Sequence, residues 1–87
     1  MLGAERLSAA FKRWDQNRTL LHQKRRQLAQ ARAAFGRGEA PDPVYLSIEV
    51  ECIEELCAEL FAELLQVAEE VDATREQWAA LQSPHDG

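Results

Sequence analysis

Gly36-Arg37-Gly38-Glu39-Ala40-Pro41-Asp42-Pro43 is the stretch on which the reading of this chain turns. Eight positions hold four of the seven Gly and Pro residues in an 87-residue sequence. The other three, Gly3, Pro84 and Gly87, stand near the ends. A glycine can take the left-handed conformation that ends a helix, so Gly36 reads as a stop. Asp42 before Pro43 reads as a start: a carboxylate to cap free N–H groups, then a ring fixed at a helical φ. Ser83-Pro84 closes the second segment. The expected organisation is a single domain over 1–87, with a helix at about 4–35, a loop at about 36–42, a helix at about 43–82 and a short tail at 83–87. No strand pattern and no internal repeat interrupt it.

Hydrophobic spacing on either side of the loop supports two helices. Leu7, Trp14, Leu21, Leu28 and Phe35 recur every seven residues in the first. In the second, two such rows run together: Leu46, Ile53, Leu60, Val67, Thr74, Leu81 and Val50, Cys57, Leu64, Val71, Trp78. Alternating steps of three and four mark a coiled-coil seam. Folding back at the loop would set Phe35 on Leu46, Leu28 on Ile53, Leu21 on Leu60 and Trp14 on Val67. The fold class expected is therefore all-α, an antiparallel helical hairpin.

The two apolar faces are unequal. At 100° per residue, the second helix is apolar across roughly 180°, from Leu56 through Leu60, Leu64 and Ala68 to Leu65, with Phe61 inside the arc. One packed neighbour normally covers ~100°. Between Asp15 and Arg32 the first helix offers only Leu20, Leu21 and Leu28 as large apolar groups. Each uncovered Leu or Phe forgoes about 1.5–3 kcal/mol of burial. Leu56, Leu60, Phe61, Leu64, Leu65 and Ala68 are accordingly the candidate interface. A second copy is the economical occupant, giving a homodimeric four-helix bundle. An apolar groove on a different protein is the competing one.

Charge divides at the loop. Residues 1–38 hold nine bases and two acids, and residues 39–87 hold thirteen acids and one base, Arg75. A basic rod against an acidic one is the first explanation. Arg18, Arg25 and Arg32 flank the seam at heptad spacing, while Glu51, Glu55, Glu59 and Glu63 form an i, i+4 row that repels itself when unpaired. The register above brings Arg25 near Glu55 and Glu59, and Arg18 near Glu63. The alternative is a cationic stripe for RNA phosphate, built from Arg18, Lys24, Arg25, Arg26 and Arg32 with Lys12 and Arg13 beside it. No aromatic residue interleaves with its central part to stack bases.

Catalytic chemistry has little to stand on. His22 and His85 share no local motif with an acid or nucleophile. Cys52 and Cys57, five apart, lie on different sides of a helix and cannot bond within it. Both read as small buried hydrophobes. Glu-x-x-His pairs, which di-iron bundles use, do not occur, and Gly36-Arg37-Gly38 is a helix stop, not a phosphate cradle. We therefore expect no enzyme, no cofactor, no metal and no small-molecule substrate. Trp14 and Trp78 fall on seam rows and read as core anchors. No uncharged run reaches the roughly 20 residues that span a bilayer, and Glu5 and Arg6 open the chain without a signal-like apolar stretch. The expected location is the cytoplasm. The function these features suggest is that of a small helical adaptor, chaperone or anti-activator type of regulator that binds itself and another protein. RNA-binding regulation is the alternative.

Overall fold

The structure, a computed structural model, describes residues 2–82 and the side chains of residues 3–81; His85 and the expected tail at 83–87 lie outside the described residues. Two helices make up the described part, α1 (Leu2–Gly36) and α2 (Val44–Gln82), and they pack against each other as a hairpin. Helix α1 starts two residues before and ends one residue beyond the expected bounds, while α2 starts one residue late and ends at the expected residue. No Pro, and no Gly after Gly3, interrupts α1 before its last residue, and neither occurs in α2. Ala, Leu, Glu, Gln, Lys and Arg, which lose little freedom in a helix, fill most of both.

The turn chemistry is shifted from the expectation. Gly36 remains helical, and Gly38 takes the left-handed conformation at φ 74°. Gly38 N–H donates to Phe35 C=O at 2.9 Å and Glu39 N–H to Ala34 C=O at 2.9 Å. These two bonds form a Schellman cap, with Gly38 where the motif requires positive φ. At the start of α2, Asp42 acts through its main-chain carbonyl, which accepts from Val44 N–H at 2.8 Å. Pro43 C=O accepts the first helical bond, from Ser47 N–H.

Both expected rows of α2 face α1 for as long as α1 lasts. Val50, Ile53 and Val67 are buried, and Leu46, Cys57, Leu60, Leu64 and Val71 are half-buried. Across from them, α1 uses the expected Leu7, Trp14, Leu21 and Leu28 together with a second row, Gly3, Ala10, Asn17, Lys24 and Ala31. That second row consists of small or polar residues, which is why an apolar count misses it. Leu21, Leu28, Val50 and Ile53 form the buried cluster, with Leu46 and Cys57 packed on it.

Several seam assignments are corrected, among them Thr74 and Leu81 at the far end of the Val67 row, both of which are exposed. Phe35 is exposed, while Ala34 is half-buried. Ala31 and Ala34 fill the seam in the last turn of α1, so the ring of Phe35, 100° around the helix from Ala34, falls outside it. Trp78 is 60% exposed, because α1 ends before reaching it: Gly3 already lies against Val71. Trp14 meets Phe61, with ring centroids 5.9 Å apart, in place of Val67. An indole is too large for two helices to enclose, so it lies over the edge of the seam. Cys52 is also exposed, and only Cys57 joins the core; both thiols are free.

The result is one layer of helices measuring 78 × 20 × 14 Å, with a radius of gyration of 21.0 Å. A compact domain of this length has about 12 Å. The chain exposes 6961 Å², about 1,800 Å² more than a compact monomer of its mass. Folded domains normally stack two layers around a core. Here both faces of a single layer are open.

Candidate functional site

Geometry divides the expected interface residues into three groups. Leu60 and Leu64 sit in the seam against α1, and Ala68 is half-buried beside them. Phe61 and Leu65, 45% and 49% exposed, lie on one flank of α2. Leu56, 41% exposed, is nine residues from Leu65 and so lies on the opposite flank, 180° around the helix. Helix α1 thus occupies the middle of the broad apolar arc and leaves both of its edges uncovered.

The flank bearing Phe61 and Leu65 continues onto α1. Trp14 stacks obliquely on Phe61, and Phe11, half exposed, packs on Trp14 at 5.8 Å. Arg18 lies over the indole at 5.1 Å from its centre. Such a cation–π contact is worth about 0.5–1 kcal/mol at an exposed site. The same seven- and four-residue spacing carries Arg25 and Arg32 onto this side of α1. Together with Ser47, Glu51 and Glu54 they line a shallow groove whose floor is Leu28 and Val50. Arg25 reaches Glu54 at 3.5 Å, and Arg32 lies 3.5 Å from the Ser47 hydroxyl. We call this side the aromatic face.

The other side is crossed by ion pairs. Arg6 bonds Glu70 at 2.9 Å, Arg13 bonds Glu63, and Lys24, the most enclosed of these cations, bonds Glu49 at 2.9 Å. The expected charge pairing between the helices is therefore present with different partners. Arg25 takes Glu54 in place of Glu55 or Glu59, and Glu63 takes Arg13 in place of Arg18, which bonds Asp15 on its own helix at 2.7 Å. Knobs that settle between two residues of the facing helix, as Leu28 does near Val50 and Ile53, offset the ladder from a one-to-one alignment. Within the candidate cationic stripe, Lys24, Arg25 and Arg18 are thus committed to acids, Arg32 contacts Ser47, and Arg26 joins no ion pair among the described residues.

His22 is exposed on the helix surface. Among the described residues no group of His, Cys, Asp and Glu is arranged to hold a metal ion. No helix among them is long and apolar enough to cross a membrane. What the arrangement offers is surface: an aromatic patch spanning both helices, with Arg18 over its indole, a basic edge and an acidic edge. The patch depends on Phe11, which the sequence reading did not single out; the pairing of Trp14 with Phe61 is the contact that gives it a role. No family model, curated protein or solved structure matches this chain.

Proposed function

We propose that this chain is a small, non-catalytic, cytoplasmic interaction module of the adaptor, chaperone or anti-activator kind, which associates with itself and regulates another protein. The observation that carries this reading is the uncovered edge of the α2 arc, where Phe61 and Leu65 stay about half exposed beside Phe11. Covering such residues is worth about 1.5–3 kcal/mol for each side chain fully buried. The single-layer shape supports the same reading, since the surface in excess of a compact monomer is more than the ~800 Å² per partner of a standard interface.

A basic first half, nine bases against two acids, is the observation behind the alternative, an RNA-binding regulator. The pairing of Lys24, Arg25 and Arg18 with carboxylates weighs against it, as does the acidic α2 alongside. Co-expression of two differently tagged copies tests self-association: recovery of both through either tag is expected, and recovery of one alone contradicts it. A pull-down that enriches nothing besides the chain itself contradicts the adaptor role.

A further inference from the structure

We infer that two hairpins join aromatic face to aromatic face about a two-fold axis parallel to the helices, so that α1 of each copy lies on α2 of the other and both loops stand at the same end. The inference rests on the self-association proposed above and specifies the surface and the geometry.

Two hairpin layers can stack with two-fold symmetry in two ways. An axis parallel to the helices keeps every residue at its height and places α1 over the second copy's α2. An axis across the helices inverts heights, placing α1 over α1 and α2 over α2, with loops at opposite ends. Charge separates the two. Residues 1–38 carry nine bases and two acids, and residues 39–87 thirteen acids and one base. Only the parallel axis sets the basic helix on the acidic one at every level; the crossed axis opposes like with like, which selects against an arrangement.

The heights agree as well. In one hairpin Trp14 and Phe61 are already side by side, and Phe11 and Leu65 lie one turn further from the loop on their respective helices. Preserving heights therefore brings Phe11 and Trp14 of each copy level with Leu65 and Phe61 of the other, twice by symmetry. Nearer the loop, Arg25 sits close to the level of Glu51 in its own chain, since both line the groove over Leu28 and Val50. It meets the second copy's Glu51 at the same height. A crossed axis through the Phe61–Leu65 centre would instead set Glu54 level with Asp72. The opposite face is bridged by three interhelical ion pairs, Arg6–Glu70, Arg13–Glu63 and Lys24–Glu49, against one, Arg25–Glu54, on the aromatic face, and is left outside.

Electron-spin distance measurement decides between the axes. Spin labels go on Ala40→Cys at the loop or, in a second protein, on Ala80→Cys near the far end. Cys52→Ser and Cys57→Ala remove the native thiols, circular dichroism verifies helicity, and sedimentation gives the mass. A dimer with label separations of about 20 Å at both ends, set by helix spacings of 8–10 Å, is the expected result. A dimer with loop labels about 70 Å apart, twice the rise from the loop to the Phe61–Leu65 centre, overturns the arrangement and leaves self-association standing. A helical monomer overturns both.

Discussion

Leu65 and Leu56 allow the aromatic face to be tested by position alone. Both are leucines of α2 with similar exposure, 49% and 41%, on opposite flanks. Leu65→Asp removes the half of a leucine that the second copy would cover, about 0.7–1.5 kcal/mol per chain and twice that per dimer. It also places a carboxylate at a dry contact, for which an unsatisfied buried polar group costs about 1–3 kcal/mol each. The total is on the order of 4 kcal/mol or more, about a thousandfold in the dissociation constant. Leu56→Asp makes the same chemical change on the ion-paired face, which stays in water, and leaves the dissociation constant within a few-fold of the parent. Sedimentation equilibrium over a dilution series reads both, with circular dichroism at the concentrated, dimeric end of each series to verify that the variant is helical there. Equal effects of the two substitutions, or a Leu65→Asp dimer as tight as the parent, would refute the reasoning.

Other outcomes follow from single contacts. Leu28→Ala, at a side chain only 6% exposed in the seam, is expected to cost about 2–5 kcal/mol in urea unfolding. Gly38→Ala places a Cβ on a residue at φ 74° and is expected to destabilise by about 1–2 kcal/mol. Gly36→Ala, helical and with nothing within 4 Å of the added carbon, is expected to stabilise by about 0.5–1 kcal/mol in the same assay; equal effects at the two glycines contradict the cap assignment. Single-stranded RNA is expected to show no mobility shift with the chain at low salt. A shift abolished by Arg25→Glu with Arg26→Glu would favour the RNA reading instead.

The hairpin was legible because its evidence is redundant: the loop concentrates the breakers, and two uninterrupted rows in α2 fix the face that meets α1. The register was less so. The sequence shows Leu7, Trp14, Leu21 and Leu28 but hides their companions, since Gly3, Ala10, Asn17, Lys24 and Ala31 carry no apolar signal and are in the seam by position alone. One row can be aligned residue against residue; two rows interlock, and Trp14 then reaches Phe61. Trp78 shows the same limit from the other side, because its spacing continues the seam while its partner helix has ended. In the candidate site, the breadth of the apolar arc could be read from 100° steps. Its division into two flanks could not, since that depends on where α1 settles.

Self-association depends on α2 having more apolar surface than α1 can shelter. Sedimentation velocity of the unmodified chain at micromolar concentration measures this most directly. A helical species of twice the 9.8 kDa chain mass, dissociating with loss of helix on dilution, is the result the account requires. A stable, fully helical 9.8 kDa monomer at every concentration would contradict it.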